Sequence, residues 1–189
     1  MALTLLLGGA RSGKSALAQR LAGRWGGPVT VVVTGEARDA EMAERVRRHR
    51  AARPAGWSTV EEPLELEAAL AGVPTDACAL VDCLTLWVSN LVEKGLTDGQ
   101  VEERARSAAA VAAARAAPTV AVSNQVGAGL VPADALSRRY RDLLGQVNAL
   151  WAAAADQSLL LVAGRAVALA DPLDVLGPAP LRPPAGRRP

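Results

Sequence analysis

The chain has 189 residues and a formal net charge of +2, from 21 Lys and Arg against 19 Asp and Glu. Half of the residues are hydrophobic and 3% are aromatic, with no Phe. This composition excludes a disordered chain, and the balanced charge with few stacking side chains argues against nucleic acid as a partner. The apolar runs are too short to cross a bilayer, and no basic segment precedes Leu3. We therefore expect a cytoplasmic protein without membrane insertion.

Short apolar segments alternate with longer stretches of helical spacing. Buried strands are predicted over residues 3–7, 29–34, 78–82, 119–123 and 158–162. Strands that alternate with helices and are joined by right-handed crossovers form a parallel sheet covered on both faces. The sequence thus predicts an α/β fold, a P-loop NTPase-like three-layer sandwich with a mostly parallel sheet, whose ligands bind beyond the carboxyl ends of the strands.

Helices are predicted in the intervening stretches. Two are expected over residues 15–25 and 134–156, and a third, Ala-rich helix begins at a capping box of Thr97 and Gln100 and ends before Pro118. A single nucleotide-binding catalytic domain is expected over residues 1–176. Residues 177–189 are Pro-rich with basic ends, and we expect them to form a loosely attached tail.

A glycine-rich motif follows the first predicted strand and opens directly into a helix. It matches GxxxxGK[ST] and comprises Gly8, Gly9, Ala10, Arg11, Ser12, Gly13, Lys14 and Ser15. In such a loop the backbone N–H groups surround phosphate oxygens, the lysine neutralises the β- and γ-phosphates, and the serine hydroxyl holds Mg²⁺. Because strand, loop and helix fall in the required order, we interpret the motif as a nucleotide site rather than a fortuitous turn, with Lys14 as a catalytic residue.

One carboxylate, Asp82, ends the apolar segment over residues 78–82. A phosphate-loop enzyme keeps its second Mg²⁺ contact at such a strand end, usually through water. The alternative is an aspartate that only caps the following turn, and the sequence pattern leaves both open.

The single histidine, His49, lies on a predicted helix over residues 40–50 that Asp39 can cap. Met42, Val46 and His49 recur at i, i+4 and i+7 on one stripe of that helix. Nearby cations disfavour the imidazolium form and attract phosphate, namely Arg45, Arg47, Arg48, Arg50 and Arg53. A neutral imidazole beside a nucleotide is a competent nucleophile.

The spacing alone leaves His49 open between nucleophile and structural histidine. The arginines are equally compatible with a solvated helical face, on which Glu41 pairs with Arg45 and Glu44 with Arg48. Another small-molecule kinase and a nucleotide-binding switch are further readings of the loop. The switch is disfavoured because the sequence has no Asn-Lys-x-Asp segment to recognise guanine.

Taken together, the order of the motifs resembles one family. The segments are GGARSGKS from Gly8, VVVTGEARDAEMAERVRRHR up to Arg50, WSTVEEP from Trp57, LVDCLTLWVSN from Leu80 and SNQVGAGLVP from Ser123. They resemble the bifunctional adenosylcobinamide kinase / adenosylcobinamide-phosphate guanylyltransferase family of cobalamin synthesis. The resemblance extends from Leu3 to about Val167.

The resemblance implies two reactions on a corrinoid substrate. Adenosylcobinamide is phosphorylated by ATP or GTP with Mg²⁺, and GMP is then transferred from GTP to that phosphate through a histidine-bound GMP, giving adenosylcobinamide-GDP. The histidine of the family's helical His-Arg segment matches His49, which Arg50 follows. The resemblance also implies a homotrimer, and guanine-nucleotide contacts by Val33, Thr34, Gly35, Arg50, Ala51, Ala52, Arg53, Glu61 and Asp82.

One position departs from the family pattern. Where the family commonly reads Ser-Asn-Glu-Val-Gly, this chain has Gln125, a neutral amide that cannot accept a proton. If this position supplies a base for the kinase step, the substitution impairs that step. Glu61, Glu62 or Asp82 are alternative bases, and positioning by the phosphate loop without a dedicated base is a further alternative.

Overall fold

The computed structural model describes residues 3–36, 40, 44, 47, 50, 51 and 53–176. The predicted tail over residues 177–189 and the capping residue Asp39 lie outside the described residues. Of the predicted helix over residues 40–50, Ala40, Glu44, Arg47 and Arg50 are described and are helical. Within the described ranges, no helix is long and apolar enough to cross a membrane.

Seven strands form one sheet over the described residues, in the order β3-β2-β4-β5-β1-β6-β7. All neighbouring strands are parallel except β7, which is antiparallel to β6. The strands are β1 (Leu3–Gly8), β2 (Val29–Val33), β3 (Ser58–Glu61), β4 (Cys78–Asp82), β5 (Thr119–Asn124), β6 (Gln157–Val162) and β7 (Arg165–Leu169). The predicted α/β fold with a mostly parallel sheet is confirmed.

The described helices are α1 (Lys14–Gly23), α2 (Leu66–Gly72), α3 (Leu84–Glu93), α4 (Asp98–Ala114), α5 (Ala135–Ala154) and α6 (Pro172–Leu176). The predicted capping box is present at α4: the Thr97 hydroxyl accepts from the Gln100 N–H at 3.4 Å, and the Gln100 carboxamide oxygen accepts from the Thr97 N–H at 2.9 Å. Asp134 caps α5 by accepting from the Ser137 N–H at 2.8 Å. Each cap satisfies a backbone N–H that the helix itself leaves without a partner.

Alternating side chains divide the core between the two faces of the sheet. Leu3 and Leu5 of β1 pack with residues of α2, α3, α4 and α5 on one face. Leu6, the next residue of β1, packs on the opposite face, where Ala18 of α1 also lies. This division gives the predicted three layers, and it fixes which strand-end side chains share a face with α1.

Two strands were not predicted from the sequence. β3 is short and largely exposed, and every residue of β7 is exposed. β3, with the sequence STVE, lacks the continuous apolar run of a strand buried on both faces. β7 has a short apolar run over residues 166–169, but it lies exposed at the edge of the sheet. The predicted count of about five strands was wrong because it missed these two edge strands. The five strands that were predicted all form.

Arg115, directly after α4, binds several carbonyls at the end of the sheet opposite the carboxyl ends of the strands. Its guanidinium donates to the carbonyls of Leu70 and Val73 at 3.0 and 2.9 Å, and to those of Pro74 and Ala77 at 2.8 and 2.7 Å. One side chain thereby ties the end of α2 and the start of β4 to α4.

Arg115→Ala is expected to lower the free energy of unfolding by roughly 2–3 kcal/mol, because it leaves charge-assisted bonds unmade and carbonyls without partners. The melting temperature, followed by circular dichroism, should fall by about 5–10 °C. The control is Arg106→Ala, which breaks an exposed pair with Glu102 on the same helix and should change stability by less than about 1 kcal/mol. Equal melting temperatures for the two variants would contradict the prediction.

Candidate nucleotide-binding site

The glycine-rich loop joins the carboxyl end of β1 to the first residue of α1, as the motif predicts. Gly13, the residue before α1, has φ +100°, and Gly8 at the end of β1 has φ +153°, both in the region that favours glycine. A Cβ at Gly8 would also collide with the backbone carbonyl of Leu161 on β6. The two glycines are therefore required by the backbone path of the loop.

The Lys14 side chain is folded back into this loop. Its ammonium donates to the carbonyls of Gly8 and Gly9 at 2.8 and 2.6 Å, and lies 3.3 Å from the Ser12 hydroxyl. Only 6% of Lys14 is exposed. A positive charge is thus held inside the loop at the amino end of α1, and a lysine at such a helix N-terminus is suited to bind a phosphate chain.

Asp82 lies on the same face of the sheet as this loop. On β4, Leu80 packs in the cluster that contains Ala18 of α1, and Asp82 is two residues further along the strand. Because side chains alternate along a strand, the Asp82 carboxylate also faces the α1 side. β5 alone separates β4 from β1 in the sheet.

Arg53 pairs with Asp82, and the pair is largely buried. The two side chains are 8% and 18% exposed, and the nearest guanidinium nitrogen lies 3.7 Å from a carboxylate oxygen. Arg53 also lies 3.5 Å from the Thr59 hydroxyl of β3. Burial lowers the pKa of the Arg53 guanidinium, and the Asp82 charge partly offsets this by raising it.

A second pair, Arg50 with Glu61, lies at the adjacent strand end. Its atoms are 3.7 Å apart, and both side chains are about two-thirds exposed, 68% and 67%. Such an exposed pair contributes little stability, so both groups remain accessible to a ligand. Ala51 is exposed, whereas His49 and Ala52 lie outside the described residues.

Val33 at the end of β2 and Thr34 directly after it are buried. Thr34 is fully buried, its hydroxyl donates to the Cys83 carbonyl at 2.6 Å, and it accepts from the Cys83 N–H at 3.0 Å. Val33 is 8% exposed and belongs to the core on the α1 face. Gly35 is the half-buried residue at the edge, and a Cβ there would approach Leu86 to 2.8 Å.

The predicted magnesium ligands fit the chemistry of that ion. Ser15, half-buried in the first turn of α1, offers a hydroxyl, and Asp82 offers a carboxylate. Among the described residues, no group of three His, Cys, Asp or Glu side chains is arranged to hold a metal. Magnesium typically binds through one or two protein oxygens, with phosphates and water completing its octahedron, and this donor set agrees with that pattern.

Gln125 links the segment after β5 to the end of β1, where the glycine-rich loop begins. Its N–H donates to the Gly8 carbonyl at 3.0 Å, and its carboxamide oxygen accepts from the Gly127 N–H at 3.1 Å. The exposed side chain thus stabilises its own turn, and a glutamate oxygen can accept the same bond.

Gln125→Glu is accordingly expected to leave the kinase kcat within about twofold of the wild type, since only the turn-stabilising acceptor is exchanged. The measurement is the initial rate of phosphate transfer to the corrinoid acceptor that the motif resemblance implies. A gain of about a hundredfold, typical of an added general base, would identify this position as the base instead.

A buried-lysine phosphate loop between the first strand and helix, with an acidic strand end on the same face, defines a phosphate-loop α/β nucleotide-binding protein. Residues 4–169 match the family model described as cobinamide kinase / cobinamide phosphate guanyltransferase. The chain belongs to this family and is a transferase of that class, as the sequence motifs predict.

Curated relatives cover most of the chain. The bifunctional adenosylcobalamin biosynthesis protein CobP of Pseudomonas aeruginosa is 43% identical over 164 residues, which is 85% of this chain and 92% of the relative. The protein CobU, of the same description, is 37% identical in Escherichia coli and 34% in Salmonella typhimurium, over 86% of this chain and 96% of each relative.

Among solved structures, the flagellar accessory protein FlaH of Methanocaldococcus jannaschii aligns with a TM-score of 0.47 and 11% identity, over 87% of this chain and 74% of that one. This likeness is too distant to bear on function.

Proposed function

We propose that this chain catalyses two successive transfers on adenosylcobinamide: phosphorylation of its hydroxyl by ATP or GTP, and transfer of GMP from GTP to that phosphate through a GMP bound to His49. The product is adenosylcobinamide-GDP, and diphosphate leaves. The observation that carries the proposal is the Lys14 ammonium seated inside the phosphate loop, on the face of the sheet that also holds Asp82.

In the kinase step, the corrinoid hydroxyl oxygen attacks the γ-phosphorus of the nucleotide. The new bond forms as the bond from that phosphorus to the β–γ bridging oxygen breaks, and the hydroxyl proton passes to water. Lys14 and the loop N–H groups are placed to stabilise the charge that develops on the phosphate oxygens. Bound magnesium, held by Ser15 and through water by Asp82, would supply further neutralisation of that charge.

In the guanylyl step, an imidazole nitrogen of His49 attacks the α-phosphorus of GTP, and diphosphate leaves. The phosphate oxygen of adenosylcobinamide phosphate then attacks the same phosphorus, which breaks the N–P bond and restores His49. Support comes from the residues that follow His49 in the chain. Arg50 lies by Glu61 and Arg53 by Asp82, so this segment is attached at the carboxyl ends of β3 and β4, the same end of the sheet as the loop after β1.

The experiment that tests the proposal is labelling with α-³²P-GTP and Mg²⁺, followed by a denaturing gel. We expect label that is acid-labile and alkali-stable, as a phosphoramidate is, and we expect none from γ-³²P-GTP. His49→Ala should lose the label while keeping phosphate transfer from ATP to adenosylcobinamide, which serves as the control for folding. Label that persists in His49→Ala would contradict the proposal.

We further propose a homotrimer in the cytoplasm, with residues 1–176 as the catalytic domain and residues 177–189 as a dispensable tail. Light scattering should give three times the chain mass of 19.5 kDa. A chain ending at Leu176 should retain both activities. Monomeric mass, or loss of activity on truncation, would contradict the respective statement.

A further inference from the structure

Asn124, the last residue of β5, is held by side chains at both ends of its backbone. The Thr85 hydroxyl accepts from its N–H at 2.7 Å, and the Asn148 carboxamide donates to its carbonyl at 3.0 Å. The Asn124 side chain is half-buried and makes no hydrogen bond with another described residue. Its backbone is therefore fixed while its carboxamide remains available.

The two clamping side chains are buried polar groups. Thr85, in the first turn of α3, is 7% exposed, and Asn148 on α5 is 8% exposed. Tyr140, two turns before Asn148 on α5, donates from its hydroxyl to the Thr85 carbonyl at 3.0 Å and so fixes the position of Thr85. Burying such groups beside an apolar core is costly unless their hydrogen bonds are used. Here the Thr85 hydroxyl and the Asn148 amide nitrogen both bond to the Asn124 backbone, while the Asn148 carboxamide oxygen is buried with no partner among the described residues.

The register places the Asn124 carboxamide between the two halves of the site. Asn124 pairs with Gly8 of β1, and two residues earlier Val122 pairs with Asp82 of β4. Val120 and Val122 pack on the α1 face, so alternation places Asn124 on that face as well. The carboxamide thus lies between the Lys14 loop and Asp82. A nucleoside triphosphate with its β-phosphate in the loop directs its terminal phosphate into this interval.

We propose that the Asn124 carboxamide donates a hydrogen bond to the terminal phosphate of a bound nucleoside triphosphate, and that Thr85 and Asn148 are the positioning residues for this contact. The bond distinguishes a triphosphate from a diphosphate, and in the kinase step it stabilises charge on the phosphoryl group in transfer. The catalytic part of this inference rests on the proposed function, whereas the binding part does not.

The test compares the Kd of β,γ-imido-GTP with that of GDP, and repeats the pair with the adenine nucleotides. Asn124→Ala is expected to raise the Kd of the imido-triphosphates about tenfold, the loss of one charge-assisted bond, and to leave the diphosphates within about twofold. The kinase kcat should fall by about a hundredfold. Asn148→Leu should act in the same direction more weakly. Gln146→Ala, an exposed change on the same helix, is the control and should change neither the Kd of the imido-triphosphates nor that of the diphosphates.

A purely structural role for Asn124 would weaken both nucleotide classes equally, and that result overturns the proposal. Unchanged discrimination in Asn148→Leu overturns the assignment of the positioning residues; if that variant fails to fold, Thr85→Val, which removes the other bond, replaces it. If Asn124→Ala loses discrimination but the wild type transfers no phosphate to adenosylcobinamide, the phosphate contact stands and the proposed function fails.

Discussion

Lys14→Met is expected to reduce both phosphate transfer to adenosylcobinamide and GMP labelling of the protein by roughly a thousandfold or more, as for other cations that stabilise a phosphoryl transition state. Lys14 is 6% exposed, and its ammonium donates to the carbonyls of Gly8 and Gly9 at 2.8 and 2.6 Å. A charge that water screens so poorly interacts strongly with phosphate. Methionine keeps most of the length of the side chain and removes the ammonium with its charge and its hydrogen bonds to the loop.

The chain offers a matched control, because its other lysine, Lys94, is exposed at the end of α3. Lys94→Met removes the same charge from the surface and should leave both rates within about twofold, as an exposed change far from special features does. Each variant is assayed for the two transfers separately and for its circular dichroism spectrum. A folded Lys14→Met protein with rates within tenfold of the wild type would refute a catalytic role for this lysine.

The parts of the fold that the sequence predicted are those with local causes. The loop is recognisable because Gly8, Gly13 and Lys14 are adjacent in the chain, between a strand and a helix. The cap at Thr97 depends on Gln100 three residues later. The five central strands, β2, β4, β5, β1 and β6, are mostly apolar because a parallel sheet covered by helices is buried on both faces. In each case the residues that decide the structure are close together in the sequence.

The unpredicted parts depend on contacts between residues that are distant in the chain. The bonds that hold Asn124 span 39 residues to Thr85 and 24 to Asn148. The Arg53 and Asp82 pair depends on the parallel alignment of β2 with β4 and β3. The spacing of the cations around His49 indicates a helical stripe, but it does not identify which arginine meets a carboxylate. That pairing depends on the order of the strands in the sheet.

Arg53→Ala is the second change with a large expected effect: both transfers should fall by about a hundredfold, comparable to losing one well-placed electrostatic group. The Arg53 side chain is 8% exposed and lies 3.7 Å from Asp82. Its removal leaves the Asp82 carboxylate without this cation at the place where we propose that the phosphates bind, and so raises the electrostatic cost of nucleotide binding. Arg53→Lys keeps the charge without the planar donor pair and should recover only part of the rate.

The matched control is Arg106→Ala, because Arg106 pairs with Glu102 at 3.2 Å on α4, with side chains 61% and 27% exposed. A pair so exposed is worth little, and both rates should remain within about twofold of the wild type.

If Arg53 acts through Asp82, Arg53→Ala and Asp82→Asn combined should cost less than the sum of their separate effects, since each removes the same interaction. Strictly additive losses would mean that Arg53 contacts the nucleotide independently of Asp82. High salt separates these outcomes further, because it screens an accessible arginine–phosphate contact more strongly than the largely buried pair.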